Sequence, residues 1–501
     1  MSISGSMRKA QTYRNKNTPH LGAGIFITAA VVAAVFLAWQ AAYHSLKPLP
    51  EGVNIESPVF DIPEDKIRFL GDITYRDANG ERHIKQTVYD EVFKLIAAAK
   101  EYIVADMFLI NSFQGAVPEK HRLLSVEFSE TLAMKKKENP EIRTIVITDG
   151  INNLYGSLPS PQFQVMKEAG VGLIITDLNA LRDSNILYSP LWRLFVKPFG
   201  EPSKPGGIIP NPIDGSNEGI GIRAALKLLN FKANHRKVIV ADTPRGPAAV
   251  IMSGNAQDAS SAHTNTGIRI EGPICGEIAR SEMNVARFSG YKGPLAVVLE
   301  PGSPKGEVRA QYLTEGRIAR KMEELIEMCG PGDSIDMIMF FLSDQRIING
   351  MIRAAKRGAS VRVVLDPNKD AFGRPQSGIP NTGAAKRLVN KSNGSVRVRW
   401  YDTGGEQCHA KMTLFRIGGK EFMINGSANM TRRNLRNFNL ESVLFLESEG
   451  AGFMSDGRDF FDDIWKNRGM HCTVDYGVYR DENLLKYIYY RFQEAAGTGT
   501  F

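Results

Sequence analysis

Residues 234–242 read NHRKVIVAD, and residues 408–416 read CHAKMTLFR. Each segment places a lysine two positions after a histidine, His235 with Lys237 and His409 with Lys411. Because side chains alternate along a strand, the imidazole and the ammonium group of each pair point to the same face. A single H-x-K is common by chance, but two copies at matching positions of a repeat are not. The two segments therefore predict one site that is built by two similar lobes.

The chain around these segments repeats the same order of elements. Helix-like stretches precede apolar strands in both copies, at DEVFKLIAAAKEYI before VADMFLI (104–110) and at RKMEELIEMC before SIDMIMFFLSD (334–344). Buried-strand patterns that end in aspartate follow, at Asp149 and Asp177 in the first copy and at Asp366 and Asp402 in the second. Strands that alternate with helices at this spacing predict βαβ units. We predict an α/β fold of two pseudo-repeated lobes, each a mixed sheet flanked by helices.

The domain organisation follows from length and from this repeat. A chain of 501 residues is too long for one core, and its 43% apolar and 23% charged residues are typical of a folded protein. We predict a first lobe at 50–290 and a second at 291–501, with an insertion at about 179–231 in the first. Within the insertion, LYSPLWRLFVKPFG (187–200) indicates either a membrane-facing or acyl-chain-binding loop or an ordinary packed loop.

An uncharged apolar run precedes the lobes. It reads GAGIFITAAVVAAVFLAW from Gly22 to Trp39, about long enough to cross a hydrocarbon core of roughly 30 Å at about 1.5 Å per residue. Basic residues precede the run and acidic residues follow it, so the positive-inside rule predicts a cytoplasmic tail at 1–21 and extracytoplasmic catalytic domains. A cleaved signal peptide is the alternative, but its small-residue cleavage site near Ala34 would lie inside the run. We predict a single-pass anchor at 22–43 in the inner, cytoplasmic membrane.

Each H-x-K strand is followed by a strand that ends in a polar turn, with Ser253 and Asn255 in the first lobe and Ser427 and Asn429 in the second. The turns bring hydroxyl and amide groups beside the histidine and lysine. Lysine and asparagine can bind the non-bridging oxygens of an anionic phosphate, where charge is spread in the transition state. One histidine can attack phosphorus, while the other protonates the leaving oxygen and then activates water or an alcohol. The pattern predicts displacement at a phosphodiester without a metal ion.

At these residues the sequence resembles the phospholipase D superfamily, whose signature H-x-K-x4-D followed by G-S-x-N occurs twice in its bilobal members. The resemblance covers nearly everything after residue 50 and implies a phosphohistidine intermediate and no cofactor. Because of the anchor, the chain looks most similar to extracytoplasmic bacterial cardiolipin synthases and phospholipases. The resemblance therefore implies a phospholipid substrate, which is hydrolysed as by phospholipase D or transferred to an alcohol as by a transphosphatidylase. It does not indicate an oligomeric state.

The sequence departs from this signature at two positions. Arg416 stands at the aspartate position of the second motif, and Met252 stands where glycine is expected before Ser253. We interpret Asp242, the aspartate of the first motif, as structural, because a residue five positions beyond the lysine faces away from it.

The family resemblance also implies an acidic residue, after G-S-x-N, that orients a histidine. Glu441 lies twelve residues after Asn429, whereas Gly267 has that offset in the first lobe. A carboxylate stabilises an imidazolium, so we expect Glu441 to support His409 as general acid and base and His235 to act as the nucleophile. Two other carboxylates remain candidates for the neighbourhood of His235, Asp258 and Glu271.

Two further groups are candidates for phosphate binding. The first is the segment ASSAHTNTG, with Ser260, His263 and Asn265, and the second is the set of arginines in MTRRNLRN, namely Arg432, Arg433 and Arg436. A solvated loop histidine and a solvated helix face are the alternatives.

Three functional classes remain open. A phospholipid enzyme fits the paired motifs and the anchor. A nuclease of the same superfamily fits the formal net charge of +8 and the pI near 9.1, but the anchor makes nucleic acid a less favoured partner. A catalytically silent binding protein is the third class, which Arg416 keeps open and the two intact His–Lys pairs oppose.

Overall fold

The computed structural model describes residues 18–114, 120–201, 205–215, 218–294, 306–371 and 374–501. The basic residues of the predicted cytoplasmic tail lie outside these ranges, at Arg8, Lys9, Arg14 and Lys16. Within the described ranges, two large sheets carry the two H-x-K segments, one sheet each.

The first sheet has seven strands in the described part of the chain. Their spatial order is Ile67–Gly71, Thr266–Glu271, Ala248–Met252, Lys237–Ala241, Tyr102–Met107, Arg143–Thr148 and Gly172–Ile175. The last three strands are parallel, and the other neighbours are antiparallel. The strands of the H-x-K hairpin are buried along their whole length, which explains their nearly continuous apolar sequence.

The second sheet repeats this arrangement, with nine strands among the described residues. Their order is Phe60–Ile62, Val308–Thr314, Ser442–Ser448, Lys420–Gly426, Lys411–Ile417, Ser334–Met339, Ser360–Leu365, Val396–Tyr401 and Thr473–Asp475. In both sheets the H-x-K strand lies between the strand that leads to the Ser-x-Asn turn and the first parallel strand of its repeat. The predicted α/β fold with two pseudo-repeated mixed sheets is thus confirmed.

Helices cover the sheets. The α-helices are Thr18–Leu46, Val88–Ala98, Leu124–Glu138, Pro161–Glu168, Ser189–Phe195, Ile222–Leu228, Ile274–Phe288, Gly316–Met328, Gln345–Arg357, Asn381–Lys391, Arg432–Leu435, Gly452–Lys466 and Leu484–Ala496. Short 3-10 helices occur at Glu64–Lys66, Gly150–Gly156, Lys197–Phe199, Asp258–Ala262 and Tyr476–Tyr479. Two-stranded ribbons pair Ile73–Arg76 with Arg82–Lys85, Ile110–Asn111 with Ala256–Gln257, Ile209–Pro210 with Gly219–Ile220, and Asp370–Ala371 with Arg374–Pro375.

The two lobes share one hydrophobic core. Buried side chains from both large sheets pack together, for example Val238 and Ile251 of the first with Leu414 and Met423 of the second. Burial of apolar surface on the facing sides of both sheets drives this association. The lobes therefore form one packed body, which holds groups from both of them in a defined relation.

The amino-terminal strand crosses between the lobes. Phe60–Ile62 pairs antiparallel with Val308–Thr314 of the second sheet, although it precedes the first strand of the first sheet, Ile67–Gly71. A division of the chain at residues 50–290 and 291–501 therefore does not separate the two sheets completely.

The apolar amino-terminal run forms the helix Thr18–Leu46, which extends beyond the predicted span 22–43 at both ends. From Ala23 to Leu46 it is long and apolar enough to cross a membrane, and none of its most apolar stretch is buried against the protein. Exposed side chains such as Phe26 and Trp39 would face water without a membrane, which is unfavourable. The helix is thus compatible with a single-pass anchor.

Candidate active site

The two His–Lys pairs occupy equivalent positions at the start of equivalent strands. His235 and His409 are 8% and 5% exposed, and the lysines that follow are almost completely buried. Each lysine folds back on its own pair: Lys237 Nζ donates to the carbonyl oxygen of His235 at 2.7 Å, and Lys411 Nζ donates to that of His409 at 2.8 Å. Both ammonium groups are therefore held beside the imidazole that precedes them, as the alternation of strand side chains predicts.

A phenylalanine completes each half of the site. The ring of Phe108 lies 4.9 Å from His235 and 5.0 Å from Lys237 Nζ. In the second lobe, Phe340 lies 5.0 Å from His409 and 5.3 Å from Lys411 Nζ. Both rings follow the first parallel strand of their repeat and provide an apolar wall with a cation–π contact. The motifs alone did not identify Phe108 and Phe340. The aligned segments VADMFLI and SIDMIMFFLSD nevertheless place a phenylalanine directly after the strand in both lobes.

Glu441 reaches across to the histidine of the other lobe. Its Oε1 lies 2.8 Å from His235 Nδ1, and its side chain is fully buried. The expectation that Glu441 supports His409 is wrong, because Glu441 directly precedes the strand Ser442–Ser448 and lies at the boundary between the lobes, against His235. The backbone shows this directly, since His235 N donates to the carbonyl oxygen of Leu440 at 2.9 Å.

Asn265 is the counterpart of Glu441 in the first lobe. Its Oδ1 lies 3.3 Å from His409 Nδ1. The residue after each partner confirms the equivalence: Thr266 N donates to Ser253 Oγ, and Ser442 N donates to Ser427 Oγ, both at 3.0 Å. Counting a constant offset had pointed to Gly267, because the connection after the polar turn is two residues shorter in the first lobe. One histidine thus has a carboxylate partner and the other an amide.

The same crossing ties the lobes together on both sides of the site. Asn234 forms a parallel bridge with Leu440, and Thr264 forms one with Cys408. These bridges place the residue before each motif histidine against the residue before its partner, Glu441 or Asn265. The histidines are therefore oriented by the junction between the lobes and not by their own lobe alone.

The serines of the polar turns hold the histidine partners. Ser427 Oγ donates to Glu441 Oε2, and Ser253 Oγ donates to Asn265 Oδ1 at 3.4 Å. Ser427, which was predicted as a catalytic residue, therefore donates a hydrogen bond to the carboxylate of Glu441.

The asparagines of the turns, Asn255 and Asn429, are both buried. Asn429 Oδ1 accepts from the backbone N–H of Phe341 at 3.3 Å, next to the Phe340 wall. Among the described residues, Asn255 Oδ1 has no comparable hydrogen bond. The backbone N–H of Asn255 donates to Ser260 Oγ at 3.1 Å. The two turns therefore lie beside the His–Lys pairs but are held by different contacts.

Burial and mutual repulsion disfavour positive charge on the histidines and lysines of the site. Burial, with Lys237 and Lys411 as further causes, lowers the pKa of His235 well below its usual value. Burial and Lys411 lower the pKa of His409 in the same direction, and Lys237 also contributes. Each histidine has its hydrogen-bond partner in the other lobe, so both His–Lys pairs lie at the junction between the lobes. The negative charge within the site therefore does not compensate its basic groups, and binding of an anion would be favourable.

The remaining site groups show the same effect of burial. It lowers the pKa of Lys237 to about 7, against the opposing charge of Glu441, and moves the pKa of Lys411 well below its usual value. It raises the pKa of Glu441 to about 8, although Lys237 and Ser427 act against this. An anionic phosphate between the lysines would reverse the shifts of both ammonium groups.

Asp242 lies at the far end of its strand and supports the backbone. Its Oδ1 accepts from the N–H groups of residues 100, 101 and 102 at 3.1, 2.9 and 2.9 Å. Arg416, which replaces the aspartate in the second lobe, is paired with Glu421 at 3.2 Å on the surface. Both positions are at the strand end opposite the His–Lys pairs, so the Arg416 departure leaves the site itself intact.

The other candidate residues divide between the site and the scaffold. His263 belongs to the rim, with its ring 5.9 Å from that of His409, and its Nδ1 accepts from the backbone N–H of Gln407 at 3.1 Å. Burial, with His121 as a further cause, lowers its pKa to about 3. Arg433 and Arg436 are occupied elsewhere, by the carbonyl oxygen of Gly497 at 3.3 Å and by Asp344 at 2.8 Å. Neither is a solvated arginine available for a head group.

Comparison with known proteins matches part of the second lobe to a protein family by sequence, and most of the chain to a solved structure by fold. Residues 322–465 match the family described as "Cardiolipin synthase, PLD-like domain". The crystal structure of phosphatidylserine synthase from Haemophilus influenzae Rd KW20 is similar, with a TM-score of 0.53 and 12% identity over 92% of this chain and 99% of that one. At this identity the likeness shows the fold alone.

Two further solved structures are similar at lower scores. The polyphosphate kinase of Porphyromonas gingivalis gives a TM-score of 0.45 and 14% identity over 87% of this chain and 54% of that one. Nuc, a phospholipase D family member from Salmonella typhimurium, gives 0.27 and 18% over 34% of this chain and 99% of that one. No curated protein matches the sequence.

Proposed function

We propose that this chain is a phosphodiesterase or phosphatidyltransferase of the phospholipase D superfamily, which acts on membrane phospholipid through a phosphohistidine; the family match of residues 322–465 and the similar fold support this proposal. The observation that carries the proposal is that both His–Lys pairs lie at the junction between the lobes, where each histidine has its hydrogen-bond partner in the other lobe. The apolar amino-terminal helix supports a lipid as the substrate, because it would keep the site close to a bilayer.

In the first step, His235 Nε2 attacks phosphorus and the bond to the leaving alcohol oxygen breaks. His409 donates a proton to that oxygen, so the alcohol leaves neutral. In the second step, His409 removes a proton from water or from an acceptor alcohol, whose oxygen displaces His235 from phosphorus. Water yields a phosphatidic acid and an alcohol yields a new phosphodiester, so the acceptor alone decides between hydrolysis and transfer.

The different partners of the histidines support this division of roles. An imidazole bonded to phosphorus through Nε2 carries positive charge while Nδ1 keeps a proton, and the carboxylate of Glu441 stabilises that charge. His409 must release its proton in one step and regain it in the next. The neutral amide of Asn265 orients the ring without making it strongly basic, as a proton shuttle requires.

The lysines and asparagines supply the charge and the hydrogen bonds that the phosphate needs. Lys237 and Lys411 are buried, so their attraction for the non-bridging oxygens is stronger than it would be in water. Asn255 and Asn429 lie beside them at the ends of the adjacent strands and are suited to donate to the same oxygens. The groups are held before substrate binds, which lowers the reorganisation needed in the transition state.

We further propose that the catalytic lobes lie outside the cytoplasm. The support is the sequence around the anchor helix, which is basic before it and acidic after it. Cysteine labelling with a membrane-impermeant reagent at an introduced surface cysteine in intact and broken cells would test the orientation. Labelling only in broken cells would contradict it.

The test of function supplies full-length protein, in mixed micelles and with a chelator present, with phosphatidylglycerol, other phospholipids and single-stranded DNA, each with and without glycerol as acceptor. We expect phosphatidic acid or a new phosphatidyl alcohol as product. His235→Ala and His409→Ala should each abolish turnover, and His471→Ala is the matched control, because His471 is exposed and pairs with Asp402 away from the site. Cleavage of DNA alone would refute the lipid substrate.

A further inference from the structure

The last helix, Leu484–Ala496, carries its apolar side chains on the outside. The exposed residues are Leu484, Leu485, Ile488, Tyr489 and Phe492, with exposed fractions between 52% and 77%. Their spacing of one and four residues places them on one face of the helix. A helix on the surface of a water-soluble domain turns such a face toward the core, so this helix has the opposite orientation.

Polar contacts fix this orientation. On the inner face, Glu494 accepts from Ser343 Oγ at 2.7 Å and from the backbone N–H of Arg432 at 2.9 Å. Gln345 Nε2 donates to the hydroxyl of Tyr490 at 2.8 Å. Rotation of the helix to bury its apolar face would break these bonds and leave Glu494 without partners. The exposed apolar face is therefore a stable feature of the fold.

A second exposed apolar surface lies on the insertion of the first lobe. Its residues are Leu187, Leu191, Phe195 and Phe199, on and around the helix Ser189–Phe195. This helix packs against the anchor helix Thr18–Leu46. The chain before it is bound to the end of the anchor, since Asp183 N donates to the carbonyl oxygen of His44 at 3.0 Å and Lys47 Nζ donates to that of Asn179 at 2.7 Å.

The last helix and the insertion are joined at that point. Ile186 N donates to the carbonyl oxygen of Ala496 at 3.2 Å, which joins the end of the last helix to the start of the insertion helix. Gly497 follows in a left-handed conformation, with φ of +69°, and a Cβ there would overlap the carbonyl of Ser184. The close approach requires glycine, so the junction between the last helix and the insertion is built into the sequence.

We propose that both surfaces insert into the interface of the bilayer that the anchor helix crosses, so that the lobes are held on the membrane at three places. This inference rests on the proposed function only in assigning the anchor helix to a membrane. A bilayer is the occupant that fits, because the insertion packs against the anchor helix, the last helix is joined to the insertion, and both surfaces bear the aromatic and aliphatic side chains that bind at the interface.

This docking would orient the catalytic site. Lys232, three residues before His235, is bound to Asp183 at 2.5 Å beside the insertion surface. Ser343, three residues after the Phe340 wall, is bound to the last helix through Glu494. Each surface is thus attached to a segment that enters the site from a different lobe. Insertion of both would place the site against the head groups, where a phosphodiester of a bilayer lipid lies.

The first test measures immersion directly. Full-length protein carrying Ile488→Cys with a nitroxide label is reconstituted into vesicles of phosphatidylglycerol and phosphatidylethanolamine, and the accessibility of the label to oxygen and to a water-soluble nickel complex is compared. Met328→Cys is the matched control, because both residues are 54% exposed on a helix, and the native cysteines are buried. Met328 ends a helix that begins beside Glu441, so it lies at the end remote from the site.

We expect the label at position 488 to be more accessible to oxygen than to the nickel complex. The label at position 328 should be more accessible to the nickel complex, as in water. Equal, water-like behaviour at both would overturn the proposal. Spin–spin broadening at position 488 that disappears on dilution with unlabelled protein would show that a second copy covers the face, and would also overturn it. The result does not depend on catalysis, so a phospholipid assay without product would refute the proposed function and leave this inference standing.

The second test separates docking from chemistry. Leu485→Glu with Ile488→Glu should raise KM for vesicle phospholipid about tenfold, because two apolar side chains leave the interface. The values of kcat and KM for a short-chain phospholipid in monomeric solution should not change, which would also show that the variant is folded. Met328→Glu should leave both substrates unaffected. An unchanged KM for vesicle lipid in the double variant would refute the docking role.

Discussion

Replacing Glu441 with glutamine is the most direct perturbation of the proposed mechanism. Glu441 Oε1 lies 2.8 Å from His235 Nδ1, and both side chains are buried. Glutamine keeps the shape and an oxygen that can accept a hydrogen bond, but it removes the negative charge. The variant therefore gives His235 the kind of partner that His409 already has in Asn265.

The expected loss follows from the charge that develops on His235. A hydrogen bond to a charged group contributes about 1.5–3 kcal/mol, a neutral one about 0.5–1.5 kcal/mol, and both groups of this pair are charged once His235 bonds to phosphorus. Burial raises the pKa of Glu441 to about 8, which favours the neutral carboxyl, whereas a cationic imidazole beside it favours the carboxylate and hence the ion pair. We expect a transition state less stable by about 1–2.5 kcal/mol, which lowers kcat about 5- to 70-fold.

The assay measures kcat for full-length enzyme at saturating phospholipid in mixed micelles, together with the amount of phosphohistidine trapped by acid quenching. Glu447→Gln is the matched control. Glu447 lies on the strand that follows Glu441, and its partners Arg309 and Lys420 are about half exposed, so its loss should not change turnover. If Glu441→Gln turns over as fast as the Glu447→Gln control, the carboxylate does not support the nucleophile and the reasoning fails.

Three further predictions concern the other groups of the site and its scaffold. Because burial lowers the pKa of Lys237 to about 7, kcat/KM for an anionic substrate should fall as pH rises through that value, and Lys237→Arg, which stays protonated, should shift this fall to higher pH in a measured pH profile. His409→Ala should slow breakdown of the intermediate more than its formation from a substrate with an acidic leaving group, so phosphorus label should accumulate on His235; label on neither residue would contradict the assigned roles. Asp242→Ala, which loses three backbone hydrogen bonds, should lower the free energy of unfolding by about 1–3 kcal/mol in urea titration with kcat retained, whereas a loss of kcat in folded protein would show a direct catalytic role.

The repeat was sufficient to predict the architecture, because the strands and helices of both lobes are visible as local hydrophobic patterns in the sequence. The strands around VADMFLI and SIDMIMFFLSD appear at Tyr102–Met107 and Ser334–Met339, and each pairs with the H-x-K strand of its lobe. The Phe60–Ile62 strand was not predicted, because three residues have no periodicity and their place in the second sheet depends on a distant partner.

The partner of each histidine was the main error, and its cause is specific. Glu441 was recognised as the orienting acid, yet it lies against His235 and not His409. Asn265 was a candidate only for phosphate binding, and it was missed as the partner of His409 because a fixed offset along the chain assumes connections of equal length. The connection after Ser253 is two residues shorter, and only the hydrogen bonds of Thr266 and Ser442 reveal the correct alignment.

The sequence by itself determined the two lobes, the strands that carry them and the face on which each lysine joins its histidine, because the periods of strands and helices act over a few residues. Only the tertiary structure decided which carboxylate or amide meets which imidazole, and that the last helix turns its apolar face outward. Both depend on contacts between segments far apart in the chain, which are selected by the packing of the whole molecule and leave no regular spacing in the sequence.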